Sequence, residues 1–216
     1  MRQSKPDKRK VQGAETKRKL YGIADRLFSE RGFSDVSIED ITDEAGVTKG
    51  AFYVHFASKD ALISLLIEDY VSRSDTDYKA FLEGLPDDMP CASAMLALAG
   101  KIADTLSNSL GCDIMKKVYR MMMIESAGTE AVQEYGRDLY ALVRGILEKG
   151  LARGEFTSPL SPETLSRHFV MALRGTAFEW CVRYPDFDLR EQTTEHIRLL
   201  LGGIENRTQT HREEIL

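Results

Sequence analysis

Lys49, Gly50, Tyr53, Val54 and His55 are what remains of the run Thr48 to Phe56 once Phe52 and Phe56, one helical turn apart, are given to the interior. A cation, a glycine that lets another backbone come close, a phenolic hydroxyl and an imidazole suit a groove of duplex DNA. They can donate to base edges and phosphates without any covalent step. An ordinary helical hairpin would give no reason for Gly50, since glycine inside a helix costs about 1 kcal/mol relative to alanine. Nor would it explain an exposed lysine and tyrosine beside that glycine.

Two short helices must hold this face in place. Ser37, with Asp40 three residues on, forms a capping box in which aspartate replaces the usual Glu or Gln, and opens a helix with Ile38, Ile41 and Ala45 on its inner side. Gly46 ends that helix, because glycine enters the left-handed region without a Cβ penalty. Val47 plugs the corner and Thr48 caps the helix that follows. Helix, tight turn and second helix with a free polar side make a helix-turn-helix. Upstream, a helix over about Ala14–Arg31 carries the apolar stripe Leu20, Ile23, Ala24, Leu27 and Phe28, and Gly32-Phe33 closes it. Downstream, Ser58 caps a helix that takes Leu62, Leu65, Leu66 and Tyr70 toward the rest of the chain. Glu39 is the exception, a carboxylate beside a polyanion; it accepts from a cytosine amino group or points away.

From Ala14 to about Leu66 the chain resembles the DNA-binding domain of the TetR family of bacterial regulators. The likeness rests on Ile-Thr-x-x-Ala-Gly-Val-Thr-Lys-Gly-x-Phe-Tyr-x-His-Phe-x-Ser-Lys over Ile41–Lys59. The resemblance implies a recognition helix at Thr48–Phe56 and a fourth helix leading into a variable helical regulatory domain. By motif position it sets Lys49, Gly50 and Tyr53 toward base edges, and Ser37, Thr48, Val54, His55 and Lys59 near phosphates. It also implies a dimer built on the last two helices.

Charge and composition agree. The chain has 216 residues and a formal net charge of −5, yet residues 1–19 hold eight Lys or Arg against Asp7 and Glu15. A basic arm ahead of a DNA-binding unit neutralises phosphates and makes affinity fall steeply with salt. Pro6, Gly13 and the polar composition predict that residues 1–13 are disordered. No apolar run reaches transmembrane length and no signal-peptide core opens the chain, which predicts a cytoplasmic protein without a membrane partner. Cys91, Cys112 and Cys181 are odd in number and widely spaced, unlike a disulfide framework.

The remaining pattern is helical, so the expected class is all-α, with about nine helices. The expected division is the arm (1–13), a helix-turn-helix domain (14–60), a helical regulatory and dimerisation domain (61–204) and a frayed tail (205–216). After the break at Gly84–Pro90, helices are expected over about Cys91–Ser109, Asp113–Ser126, Thr129–Arg153, Ser161–Arg183 and Leu189–Leu201. Phe169, Leu173, Ala177 and Trp180, with Ile197, Leu200 and Ile204, give the last two helices apolar faces, and Gly175 permits close approach. These faces suit a dimer interface or the chain's own core. A single motif touches few base pairs, and this favours a homodimer on a pseudo-palindromic double-stranded operator.

For an input, Met115, Tyr119, Met122 and Met123, beside Met121 and Ile124, form a sulfur-rich patch that lines a pocket for a small hydrophobic effector or simply fills core, with Phe178 a further candidate. Arg120 and Glu125 are possible polar anchors. His55, His168, His196 and His211 show no metal-ligand spacing, and no phosphate loop or nucleophile motif is present, so no metal, cofactor or catalysis is expected. The reading is a transcriptional regulator, a repressor released by its effector. Rivals are a thiol switch at Cys112, with Lys116 and Lys117 favouring its thiolate, and an architectural DNA binder.

Overall fold

The computed structural model describes residues 8–33, 35–123 and 137–205. The expected start of a helix at Thr129, the anchor Glu125, Ile124, His211 and the tail beyond Glu205 fall outside these residues. The chain is all-α: α1 (Lys8–Arg31), α2 (Ile38–Ala45), α3 (Lys49–His55), α4 (Lys59–Glu83), α5 (Cys91–Asp104), α6 (Gly111–Met123), α7 (Asp138–Ala152), α8 (Pro162–Arg183) and α9 (Leu189–Leu201). α5 continues into a wider π-helical turn, Thr105–Leu110, before Gly111 breaks the run with φ 75°.

Two boundaries differ from expectation. α1 begins at Lys8 and runs through Gly13, so the part of the basic arm that is described is helical. A single glycine weakens a helix by about 1 kcal/mol and does not stop one. The segment expected as one helix to Ser109 changes pitch at Thr105, a shift that apolar periodicity does not register.

Leu20, Ala24, Leu27, Ile41, Phe52 and Leu62 are buried in a first core that joins α1 to α4, and Val118 and Met121 of α6 pack into the same core. A second core unites α4, α5, α7, α8 and α9 around Tyr78, Leu98, Val143, Leu147, Phe169 and Ile197. A third, smaller cluster sets Cys112 and Met115 of α6 against Ala177, Trp180 and Cys181 of α8. α6 therefore touches every cluster except the second, and α4 runs from the first core into the second. Leu65 of α4 is 37% exposed.

The expected dimer face needs correction residue by residue. Phe169, Trp180 and Ile197 are 5% exposed or less, so their side chains are spent on the chain's own interior and have no surface to offer a partner. Leu200 is half-buried and Gly175 is exposed. The apolar groups left open are Met171 (60%), Phe178 (40%) and Val182 (63%) on α8, in line with Gly175 at helical spacing, and Leu199 (73%) on α9.

Candidate nucleic-acid interface

The local chemistry of the helix-turn-helix is as its residues dictate. Ser37 Oγ accepts from the Asp40 amide at 3.1 Å, and the Ser37 amide donates to Asp40 Oδ2 at 2.7 Å, closing the capping box. The Ser37 hydroxyl and amide also hold the Asp40 carboxyl below the usual carboxylate range. Gly46 sits at φ 64°, ψ 34°, its amide donating to the carbonyls of Asp43 and Thr42. Thr48 Oγ1 accepts from the Ala51 amide at 3.2 Å and starts α3. Behind α3, Phe52 is fully buried and Phe56 is 2% exposed, their ring centroids 5.4 Å apart. This seating fixes which side of the short helix faces outward.

That outer side carries Lys49, Gly50, Tyr53 (50% exposed) and Val54 (78% exposed). His55 is half-buried near α1; a Cβ on Gly13 would lie 3.8 Å from its ring. Ser37 and Thr48 are exposed at the starts of α2 and α3. Nothing in the fold requires glycine at position 50. Its backbone is not left-handed, and an added Cβ would meet only Thr48 Oγ1, at an ordinary 3.7 Å. Gly50→Ala is accordingly expected to raise unfolding free energy by as much as about 1 kcal/mol, while lowering DNA affinity through loss of close backbone approach. Denaturant titration and fluorescence anisotropy read the two effects, and unchanged affinity in a stabilised variant would contradict the role given to Gly50.

Two lysines are engaged within the chain in ways the sequence did not reveal. Lys49 Nζ pairs with Glu39 Oε1 across the turn, which resolves where Glu39 points: along the surface, against the neighbouring cation. The contact lowers the Glu39 carboxyl and raises the Lys49 ammonium from their ordinary values. Lys59 turns inward. Its ammonium donates to the Phe33 carbonyl at 2.7 Å and lies 4.0 Å from the Phe33 ring centroid, bracing the loop after α1. Burial, then the nearby Lys117, lowers its proton affinity. The cation expected near phosphates is thus half-buried and already engaged within the chain.

The pocket candidates divide. Met115, Tyr119 and Met122 line a cavity of about 430 Å³ bounded by α1, α4, α5, α6 and α8, whereas Met123 is 69% exposed and Phe178 lies edge-on to Tyr119, 5.2 Å away, outside the lining. Consecutive helical residues point about 100° apart, so a run of three methionines cannot share one wall. Sequence reasoning missed Arg137 and Arg174, which also line the cavity. A charged residue in a helix usually reads as solvated, and only the surrounding fold shows otherwise. Arg120 is exposed outside this cavity. Among the described residues no cluster of His, Cys, Asp or Glu is arranged to hold a metal ion, and no single helix is long and apolar enough to cross a membrane.

Residues 23–66, from the last turns of α1 through the first turns of α4, match the family model described as bacterial regulatory proteins, tetR family. Over 208 residues the chain is 26% identical to the HTH-type transcriptional regulator AcrR of Shigella flexneri, covering 90% of this chain and 91% of that protein. It is 28% identical over 156 residues to the HTH-type transcriptional regulator YerO of Bacillus subtilis, covering 62% of this chain and 54% of YerO. A TetR-family transcriptional regulator from Pectobacterium atrosepticum shares the fold, with a TM-score of 0.72 and 20% identity over 91% of this chain and 97% of that one. These relatives are regulators rather than enzymes. With its helix-turn-helix exposed on one side and anchored by paired phenylalanines on the other, the chain is similar over this segment to the tetR family of bacterial regulatory proteins and, over most of its length, to HTH-type transcriptional regulators.

Proposed function

We propose that the protein binds a pseudo-palindromic operator as a cytoplasmic homodimer and represses transcription until a small apolar or amphipathic effector enters the cavity beside α6. The observation that carries the DNA half is the outer face of α3, where Lys49, Gly50, Tyr53 and Val54 are open while Phe52 and Phe56 hold the helix down. Lys49, Gly50 and Tyr53 are assigned to base edges. Ser37, Thr48, Val54 and His55 are assigned to the flanking phosphate and sugar surface.

The effector half draws its support from α6. Met115, Val118, Tyr119 and Met122 of this helix line the cavity, and Val118 and Met121 are also buried among α1–α4. Lys117 adds a salt bridge to Asp60 at 3.2 Å, and its ammonium is 4.6 Å from the Phe33 ring centroid. An occupant that favours a different setting of α6 would move the helix-turn-helix of each protomer and weaken DNA binding by linkage. A few kcal/mol of differential affinity suffices for release.

Dimerisation is assigned to the open stripe Met171, Gly175, Phe178 and Val182 of α8, with Leu199 and Leu200 of α9. Val182→Lys is expected to give a monomer in sedimentation velocity and to lower affinity for a full palindrome at least tenfold, toward that for a half-site. A stable dimer in this variant would remove the stripe from the interface. The thiol switch finds little support. Cys112 is 7% exposed, and Lys117, expected to favour its thiolate, is engaged by Asp60 and Phe33. Its neighbour Cys181 is pushed up to about 12 by burial and by Cys112, and so stays a protonated thiol near neutrality.

A further inference from the structure

The cavity beside α6 is walled mainly by carbon, and among the described residues one buried side-chain polar atom, Arg174 Nη2, lacks a hydrogen-bond partner. Arg137 is answered by Asp75, to which it donates from Nε at 2.8 Å and Nη2 at 2.6 Å. Tyr119 donates its hydroxyl to the Arg174 carbonyl at 3.0 Å, and Tyr70 donates to the Thr105 carbonyl at 3.1 Å. The Arg174 side chain has no such answer. Arg174 is half-buried, its Nη2 is buried without a hydrogen-bond partner among the described residues, and its guanidinium carbon lies 5.9 Å from the Tyr140 ring centroid. Asp25 and Asp77 also line the cavity, but neither pairs with Arg174; Asp77 is exposed and Asp25 half-exposed.

Buried donors in folded proteins are almost always paired, and a guanidinium N–H buried without an acceptor is costly to leave bare. A neutral apolar occupant would strip away more of its water and supply no acceptor. An organic cation would be repelled. A carboxylate accepts from a guanidinium in charge-assisted bonds, and an aliphatic body behind it matches a cavity walled by Ile63, Leu66, Val118 and Met122. We infer that the cavity binds an amphipathic organic acid, with its carboxylate on Arg174 and its hydrocarbon body directed between α4 and α6.

This inference deepens the proposed effector site and rests on that reading for its regulatory meaning, but its binding test is independent of DNA. Isothermal titration of the full chain, with ligands below their micellar concentrations, compares octanoate, decanoate and tetradecanoate with the primary alcohols and primary amines of equal length. At least one acid is expected to bind about tenfold or more tightly than its alcohol, and the amines more weakly still. Arg174→Met should abolish the preference for acid over alcohol, and Arg174→Lys should keep part of it. Equal binding of acid and alcohol by the wild-type protein would overturn the inference whether or not either variant folds. So would retention of the preference in Arg174→Met, or binding of no acid in the series. An acid that binds Arg174 without altering operator affinity supports the site and removes the release mechanism proposed above. Operator release by a neutral compound, with no acid preference at the cavity, does the reverse.

Discussion

Replacing Arg137 with methionine is expected to lower the unfolding free energy by about 3–5 kcal/mol, the cost of leaving one partner of a buried ion pair uncompensated. The Arg137 and Asp75 side chains are 13% and 5% exposed, and the guanidinium reaches both carboxylate oxygens. Asp75 lies within α4 and also accepts from the Leu139 amide at 3.4 Å, so the pair ties the long connecting helix to the first turn of α7. Urea denaturation of the variant reads the loss. The double substitution Asp75→Leu with Arg137→Met should recover most of it, because an apolar pair of similar volume is often as stable as the buried ion pair it replaces. A loss below about 1 kcal/mol in the single variant would mean that the carboxylate finds another partner and that this tie is not what joins α4 to α7.

Lys49→Glu is expected to reduce DNA affinity by about a hundredfold at low salt, because it removes a cation from the outer face of α3 and sets a second carboxylate beside Glu39 against the phosphates. Folding should change little, since the Lys49–Glu39 contact is an exposed one whose side chains are 51% and 58% accessible. Glu39→Gln tests the same geometry in the opposite direction. It frees Lys49 from its partner and is expected to tighten binding to specific and random duplexes alike. Filter binding over a range of salt concentrations separates these effects, and a Lys49→Glu protein that binds as tightly as wild type would place α3 away from the DNA.

The parts of the site that were readable in the sequence are those whose physics is local. A serine followed by an aspartate at the third position makes a capping box wherever a helix can start, and Gly46 takes a left-handed conformation regardless of what surrounds it. Phe52 and Phe56 share a face by helical spacing alone. What was not readable depends on elements far apart in the chain. Lys59 meets the Phe33 carbonyl because α4 starts beside the loop after α1, and Lys49 meets Glu39 because the turn at Gly46 folds the start of α3 back against α2. α8 is apolar on more than one side, so periodicity alone does not separate Phe169 and Trp180, which face inward, from Met171 and Val182, which do not. Arg174 was passed over for the same reason, since a charge between apolar neighbours is ordinarily assigned to solvent.

Operator recognition depends on the outer face of α3 entering a DNA groove and reading bases there. Selection from a pool of randomised duplexes, run in parallel with the wild-type protein and with Tyr53→Ala, tests that most directly. The wild type should enrich a two-fold symmetric motif, and Tyr53→Ala should lose preference at symmetric positions in both half-sites while keeping its affinity for random duplex. Enrichment of no motif by the wild type, or of the same motif with the same strength by Tyr53→Ala, would contradict it.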